Sequence, residues 1–189
     1  QEKEIKLEFE IPRNDGDLLS QMYFLFNLPD IYSSNVEDVS NIHKTRLNFS
    51  WIPRIGEYII KDCIFRIGNT TIDRLYGEWL HIWSELTLDE NNKARYNRNI
   101  GYETELYGNT VNSFDISGSN TKFVPSIKGR QIRVELPFWF SHASSNVLPV
   151  FMITQEAIYV DITLRPLNQL YIVKDFTDSN TIKKPSATS

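Results

Sequence analysis

A single cysteine, Cys63, stands among the 189 residues, so no disulfide can close within the chain and the fold has to rest on packing. That fits a reducing compartment. The three histidines, His43, His81 and His142, form neither a His-x-His pair nor a His-Glu-x-x-His motif, which excludes the metal sites that jelly-roll enzymes such as cupins build. Gly-x-Ser-x-Gly and Gly-rich phosphate loops are likewise missing, removing the two commonest frames for an activated serine and for a nucleotide. No Lys/Arg-dense run occurs and the formal charge is −4, which speaks against direct contact with nucleic acid. No apolar run approaches the roughly 18 residues of a membrane span, and no signal-peptide pattern opens the chain. Position 1 is Gln rather than Met, which points to trimming or a fragment. We expect no enzyme, no cofactor and no metal.

What is present is apolar and aromatic. Hydrophobic residues make up 41% and aromatics 13%, enough for one domain with a substantial core. Ile5, Leu7, Phe9 and Ile11 alternate with Lys6, Glu8 and Glu10, the period of a strand with one buried face. "LLSQMYFLFNLP" reads as a second strand, with Met22, Phe24, Phe26 and Leu28 on one side. Residues 30–48 have no clear period and are expected as a long loop. A strand over about 57–67 reaches Gly68-Asn69 and returns through Thr70 to Leu75, a tight hairpin in which Gly68 supplies the positive φ.

"YGEWLHIWSELTL" then predicts one short amphipathic helix over about 75–87, capped near Asp73. Leu75, Trp79, Ile82, Trp83 and Leu86 share a face at helical spacing and are expected in the core, with Glu78, His81 and Glu85 turned away. Residues 87–130 hold four of the eight glycines and are expected as a protruding insertion with short strands near Tyr102–Leu106 and Lys122–Val124. Alternation resumes at Ile132, Val134 and Leu136 and leads into Phe138, Trp139 and Phe140, also expected in the core. A long strand follows through Ile158, Val160, Ile162 and Leu164, then a last short one at Leu170–Val173. The reading is an all-β, antiparallel, eight-stranded jelly-roll sandwich over residues 1–174, with 175–189 as a polar tail or linker.

Two stretches carry a family resemblance. They are "WIPRIGEYIIKDCIFRIGNTTIDRLYGEWLHIWSEL" (51–86) and "VELPFWFSHASSNVLPVFMITQEAIYVDITLRPL" (134–167). With "RNDGDLLSQMYFLFNLP" (13–29), they resemble the major capsid proteins of nucleocytoplasmic large DNA viruses, in the first of their two jelly rolls. The matching residues are Ile67-Gly68, Ile72-Asp73, Gly77, Trp79, Ile82-Trp83-Ser84-Glu85-Leu86, and the Leu-Pro-Phe-Trp-Phe that ends at Phe140. The resemblance implies a structural coat protein of the virion, assembled in the host cytoplasm. Homotrimers of double jelly rolls would form pseudo-hexagonal capsomers of an icosahedral shell. Partners would be further copies and neighbouring capsid or minor capsid proteins, with an internal viral membrane near but not spanned. The second jelly roll is missing from these 189 residues, so the chain is either a fragment or a protein that assembles differently.

Two alternatives stay open. One is a viral scaffold protein of the same fold. The other is a carbohydrate-binding sandwich, whose candidate glycan contacts are Tyr102 and Tyr107, with Tyr96 nearby. Asn48 and Asn69 stand in formal glycosylation sequons, although assembly in the cytoplasm would bypass that machinery. Glu103 and Glu105 read as a solvated pair, and Cys63 as a buried structural thiol.

Overall fold

A computed structural model describes residues 4–13, 15–32, 47–107, 114–115, 122–123, 125–175 and 181–183. The chain is mostly β, and among the described residues every strand pairing is antiparallel. In chain order the described elements are β1 (Ile5–Ile11), β2 (Leu18–Leu19), β3 (Tyr23–Leu28), β4 (Leu47–Trp51), α1 (Ile55–Ile59), β5 (Ile60–Ile67) and β6 (Thr70–Tyr76). Next come α2 (Gly77–Thr87), α3 (Glu90–Asn99), α4 (Thr104–Tyr107), β7 (Phe114–Asp115), β8 (Lys122–Phe123) and β9 (Arg130–Glu135). β10 (Leu148–Pro149), β11 (Ile158–Leu164), β12 (Tyr171–Asp175) and β13 (Thr181–Lys183) complete the order.

The largest sheet runs β1-β11-β5-β6. Its inward row alternates as the sequence requires: Cys63 and Phe65 on β5 stand beside Ile158, Val160 and Ile162 on β11, all buried. The outward row is polar, with Arg66 bonded to Asp161 at 2.7 Å, paired with Glu8, and laid over the Tyr159 ring at 4.0 Å. Against the inward row packs the β3–β9 ribbon, whose Phe24, Leu28, Ile132 and Val134 join the same core. A third sheet, β13-β12-β4, brings Trp51 and Tyr171 to the edge of that core. Phe65 sits at the centre, with ring centroids 5.5 Å from Phe138, 5.2 Å from Trp139 and 5.4 Å from Phe140. Phe138 and Phe140 are fully buried, whereas Trp139 packs half-buried at the rim.

Several expectations are corrected. Four α-helices, not one, lie among the described residues. "LLSQMYFLFNLP" divides: Leu18–Leu19 pairs with β10, and β3 pairs with β9. Part of the expected polar tail is strand β13, paired with β12. Tyr102–Leu106 is not a strand, because α4 takes up Thr104–Tyr107. At the hairpin Ile67 pairs with Thr70, and Gly68 has φ 56°, the left-handed region that glycine enters without steric cost. Asn69 is exposed beside it. Asn48 pairs with Lys174 in the β4–β12 ladder, and its side chain and His43 lie outside the described residues.

Candidate functional site

The helix that the sequence singles out starts at Gly77, with Tyr76 at its N-cap, while Leu75 and Asp73 remain in β6. Asp73 serves elsewhere, accepting the Trp139 N–H at 3.4 Å. Gly77 is there because the helix begins against backbone. A Cβ at that position would collide with the Ile60 carbonyl oxygen and lie 2.8 Å from that of Glu57. Packing this tight requires glycine at the start of the inward line of α2, which is Gly77, Leu80 and Ser84 at steps of three and four.

Trp79, Ile82 and Leu86 face out, which overturns the expected core stripe at those three positions, while Leu75 of that stripe is buried from β6. Trp79 is 41% exposed, Ile82 48% and Leu86 75%, and Tyr76 at the N-cap is 47% exposed. Trp83 is half-buried and lies flat on the His142 imidazole, with centroids 4.5 Å apart at 19°. His142 is held by its Nε2, 3.0 Å from the Pro137 carbonyl. The hydrophobic pattern misleads here because α2 carries two stripes, and the one facing inward is made of Gly, Leu and Ser.

Beneath α2 lies a polar cluster that joins three helices. Arg54 precedes α1 in the left-handed region at φ 59°, a costly conformation for a residue with a Cβ. Its Nε donates to Glu57 Oε2 at 2.8 Å, Nη1 to Glu85 at 3.1 Å, and Nη2 to Ser84 Oγ at 3.2 Å. Glu57 is fully buried and also accepts the Tyr96 hydroxyl of α3 at 2.9 Å. His81 Nδ1 stands 3.5 Å from the same carboxylate without a hydrogen bond. Burial pushes the Tyr96 phenol up, and the charge of Glu57 adds to it, so Tyr96 stays a donor. Burial works against the Arg54 charge, but the hydrogen bond and charge of Glu57, with Glu85, outweigh it and raise its pKa. Lys93 holds Glu85 below the usual carboxylate range by a hydrogen bond. The cluster is a latch: it fixes α2 and α3 to α1 and sets which face of α2 looks out.

From the sequence, Arg54 and Glu57 are not singled out, Ser84 and Tyr96 are named for other reasons, and the cluster of the four is missed. A signal existed in the charged pair Arg54 and Glu57 inside the apolar run "WIPRIGEYII", since buried charge persists only when paired. The cap of α3 was also visible: Asp89 accepts the Asn92 N–H at 3.0 Å, the geometry of a side-chain N-cap.

Other candidate residues fall as follows. Tyr102 and Tyr107 stack on each other at 5.3 Å and 16°, and the Arg54 guanidinium lies 5.2 Å from the Tyr102 centroid. One face of each ring is thus covered by the other ring. Tyr96 points inward to Glu57. Glu103 and Glu105 share Arg130 as a partner, so they are an ion-pair cluster and not a free carboxylate pair. Cys63 is buried in β5, and burial pushes its thiol up, away from reactivity. Among the described residues no group of His, Cys, Asp and Glu could hold a metal ion, and no helix is long and apolar enough to cross a membrane.

Antiparallel sheets around an aromatic core, flanked by short helices, define a mostly β sandwich-type fold. The solved PBCV-1 VP54 structure, fitted into a reconstruction of the virophage Sputnik, is similar at TM-score 0.58 and 19% identity, over 85% of this chain and 30% of that one. The Faustovirus major capsid protein is similar at TM-score 0.50 and 11% identity, over 90% of this chain and 41% of that one. A family model described as the major capsid protein N-terminus matches residues 4–188, and the chain belongs to that family.

Among curated relatives, capsid protein 1 of Acanthamoeba polyphaga mimivirus is 27% identical over 171 residues, covering 90% of this chain and 27% of its own length. The major capsid protein of Chrysochromulina ericina virus is 27% identical over 186 residues, covering 84% of this chain and 32% of its own length. The chain thus spans about a quarter to a third of the length of these relatives.

Proposed function

We propose that the chain is the N-terminal jelly roll of a major capsid protein, built as an eight-stranded sandwich with added short strands and helices. It would form the icosahedral shell of a large DNA virus. The observation that carries this is the match of residues 4–188 to the capsid N-terminal family. The mechanism is assembly and not catalysis. A rigid sandwich keeps its flanks in fixed relation, so that symmetric copies bury complementary patches repeatedly.

In this reading the working unit is a homotrimer of pseudo-hexagonal outline, made in the host cytoplasm, whose neighbours are further capsomers and minor capsid proteins. The formal charge of −4 supports a shell without direct genome contact. An internal membrane would lie near the shell without being spanned. Residues 1–174 act as the single roll, and the ladder between β12 and β13 extends its third sheet past that boundary. Sedimentation velocity and negative-stain microscopy of the native gene product test the reading. Trimers of six-cornered outline are the expected result. A product that stays monomeric at every concentration and never enters particles overturns it.

A further inference from the structure

Nine arginines stand among the described residues. Six of them, Arg54, Arg66, Arg74, Arg98, Arg130 and Arg165, pair with a carboxylate, and Arg13 donates to the Thr154 carbonyl. The two that remain, Arg95 on α3 and Arg133 on β9, line one cleft of about 220 Å³ between that helix and that strand. On α3, Asn92 and Asn99 stand at helical spacing from Arg95 and line the same cleft, and neither side-chain amide has a hydrogen bond among the described residues. Arg133 lies on the Tyr23 ring, 3.7 Å from its centroid, and the Tyr23 hydroxyl is fixed in turn by Gln21 at 2.9 Å. Stacking uses the face of a guanidinium and leaves its N–H edge to donate in plane. Glu135 also lines the cleft, in ion-pair range of neither arginine, so two positive charges stand against one negative.

We propose that this cleft binds one acidic sugar residue of a glycan, a uronic or a sialic acid. Two guanidiniums match its carboxylate. The Asn92 and Asn99 amides both donate and accept, as sugar hydroxyls do. Glu135 only accepts: it repels a bare phosphate or sulfate, whereas a sugar hydroxyl donates to it. The volume falls below the roughly 300 Å³ at which pockets for drug-sized ligands begin, which suits a single residue of a chain. An acidic peptide fits less well, because Leu88 is the one aliphatic side chain in the lining and offers little to anchor it. The site is separate from the Tyr102–Tyr107 stack, and the proposal does not rest on the coat reading.

Saturation-transfer NMR of the full native product tests it. The probes are methyl β-D-glucuronide and the methyl glycoside of N-acetylneuraminic acid, with methyl β-D-glucoside as the neutral control. At least one acidic probe should receive saturation and the glucoside should not. Arg95→Gln and Arg133→Gln should each weaken that probe about tenfold, the worth of one hydrogen bond to a charged group. Arg98→Gln, which takes the same charge from α3 outside the cleft, should leave binding unchanged. All three positions are exposed, and equal melting temperatures confirm that the variants fold. Saturation of neither acidic probe, equal saturation of the glucoside, or an equal loss in Arg98→Gln overturns the proposal. So does tighter binding of inorganic phosphate or of tetraglutamate, each read by competition with the bound probe. Trimers and shells are scored separately, so failure of the coat reading leaves this result standing.

Discussion

Nε of Arg54 meets Oε2 of Glu57 at 2.8 Å in a pocket closed to water, with Glu57 fully buried. Removing one partner leaves the other charged and desolvated. Arg54→Leu should destabilise the chain by about 3–5 kcal/mol. Arg54→Leu with Glu57→Leu should recover part of that loss. Arg54→Gly should be milder than Arg54→Ala by about 1 kcal/mol, because φ 59° strains any residue with a Cβ. Denaturant unfolding reads all four variants. Equal stability of the glycine and alanine variants would contradict the strain assigned to Arg54.

Gly77 tests the close approach of α2 to the Ile60 carbonyl. Gly77→Ala should cost about 1–3 kcal/mol through displaced backbone. Gly16→Ala, where an added Cβ meets nothing within 4 Å, should be neutral or stabilising by about 0.4–1 kcal/mol. Thermal unfolding of the pair separates a steric demand from a general intolerance of alanine.

The period-two stretches were legible because β5, β9 and β11 each carry one buried row. β1 alternates too, but its apolar row corrects the expected buried face, with Ile5 and Phe9 exposed and Leu7 and Ile11 half-buried. β1, β5, β9 and β11 stand where Ile5–Ile11, Cys63–Phe65, Ile132–Val134 and Ile158–Ile162 alternate. α3 was not legible by period, since in "ENNKARYNRN" only the partly buried Tyr96 turns a sizeable ring inward and no apolar stripe can be read. On α2 the stripe was legible but its side was not. Which face packs is decided by Gly77 and Ser84, and by a latch to Arg54, Glu57 and Tyr96 drawn from distant sequence.

Tyr96 should give the chain an alkaline weakness. Its folded pKa is raised, first by burial and then by Glu57, above the value of about 10 for a free phenol. The contribution is complete below that value and is lost as pH rises, because the unfolded chain releases the proton first. The denaturant midpoint of the parent chain should fall more between about pH 9 and about pH 11 than that of Tyr96→Phe. Tyr96→Phe should itself be weaker at neutral pH by about 1 kcal/mol, the value of its hydrogen bond to Glu57. Identical alkaline slopes would contradict the placement of Tyr96.

Neighbouring residues on α2 should behave oppositely. Leu80, which faces inward, should cost about 2–5 kcal/mol when changed to Ala. Trp79→Ser, on the outer face, should change the stability of the chain by about 0.5 kcal/mol or less, despite removing the larger side chain. Urea melts of the two variants decide which face of the helix is packed.

The most direct test of the coat reading is shell assembly by the native product, probed with a matched pair of charge insertions, one on the exposed apolar face of α2 and one beside it. Leu86→Lys and Asn91→Lys each add one positive charge at an exposed position on adjoining helices. Asn91→Lys should give shells at the parental yield by sucrose-gradient sedimentation. Leu86→Lys, with an unchanged melting temperature of the roll, should leave the protein as unassembled subunits. Shells at equal yield from both variants would contradict a role for this face in building the coat.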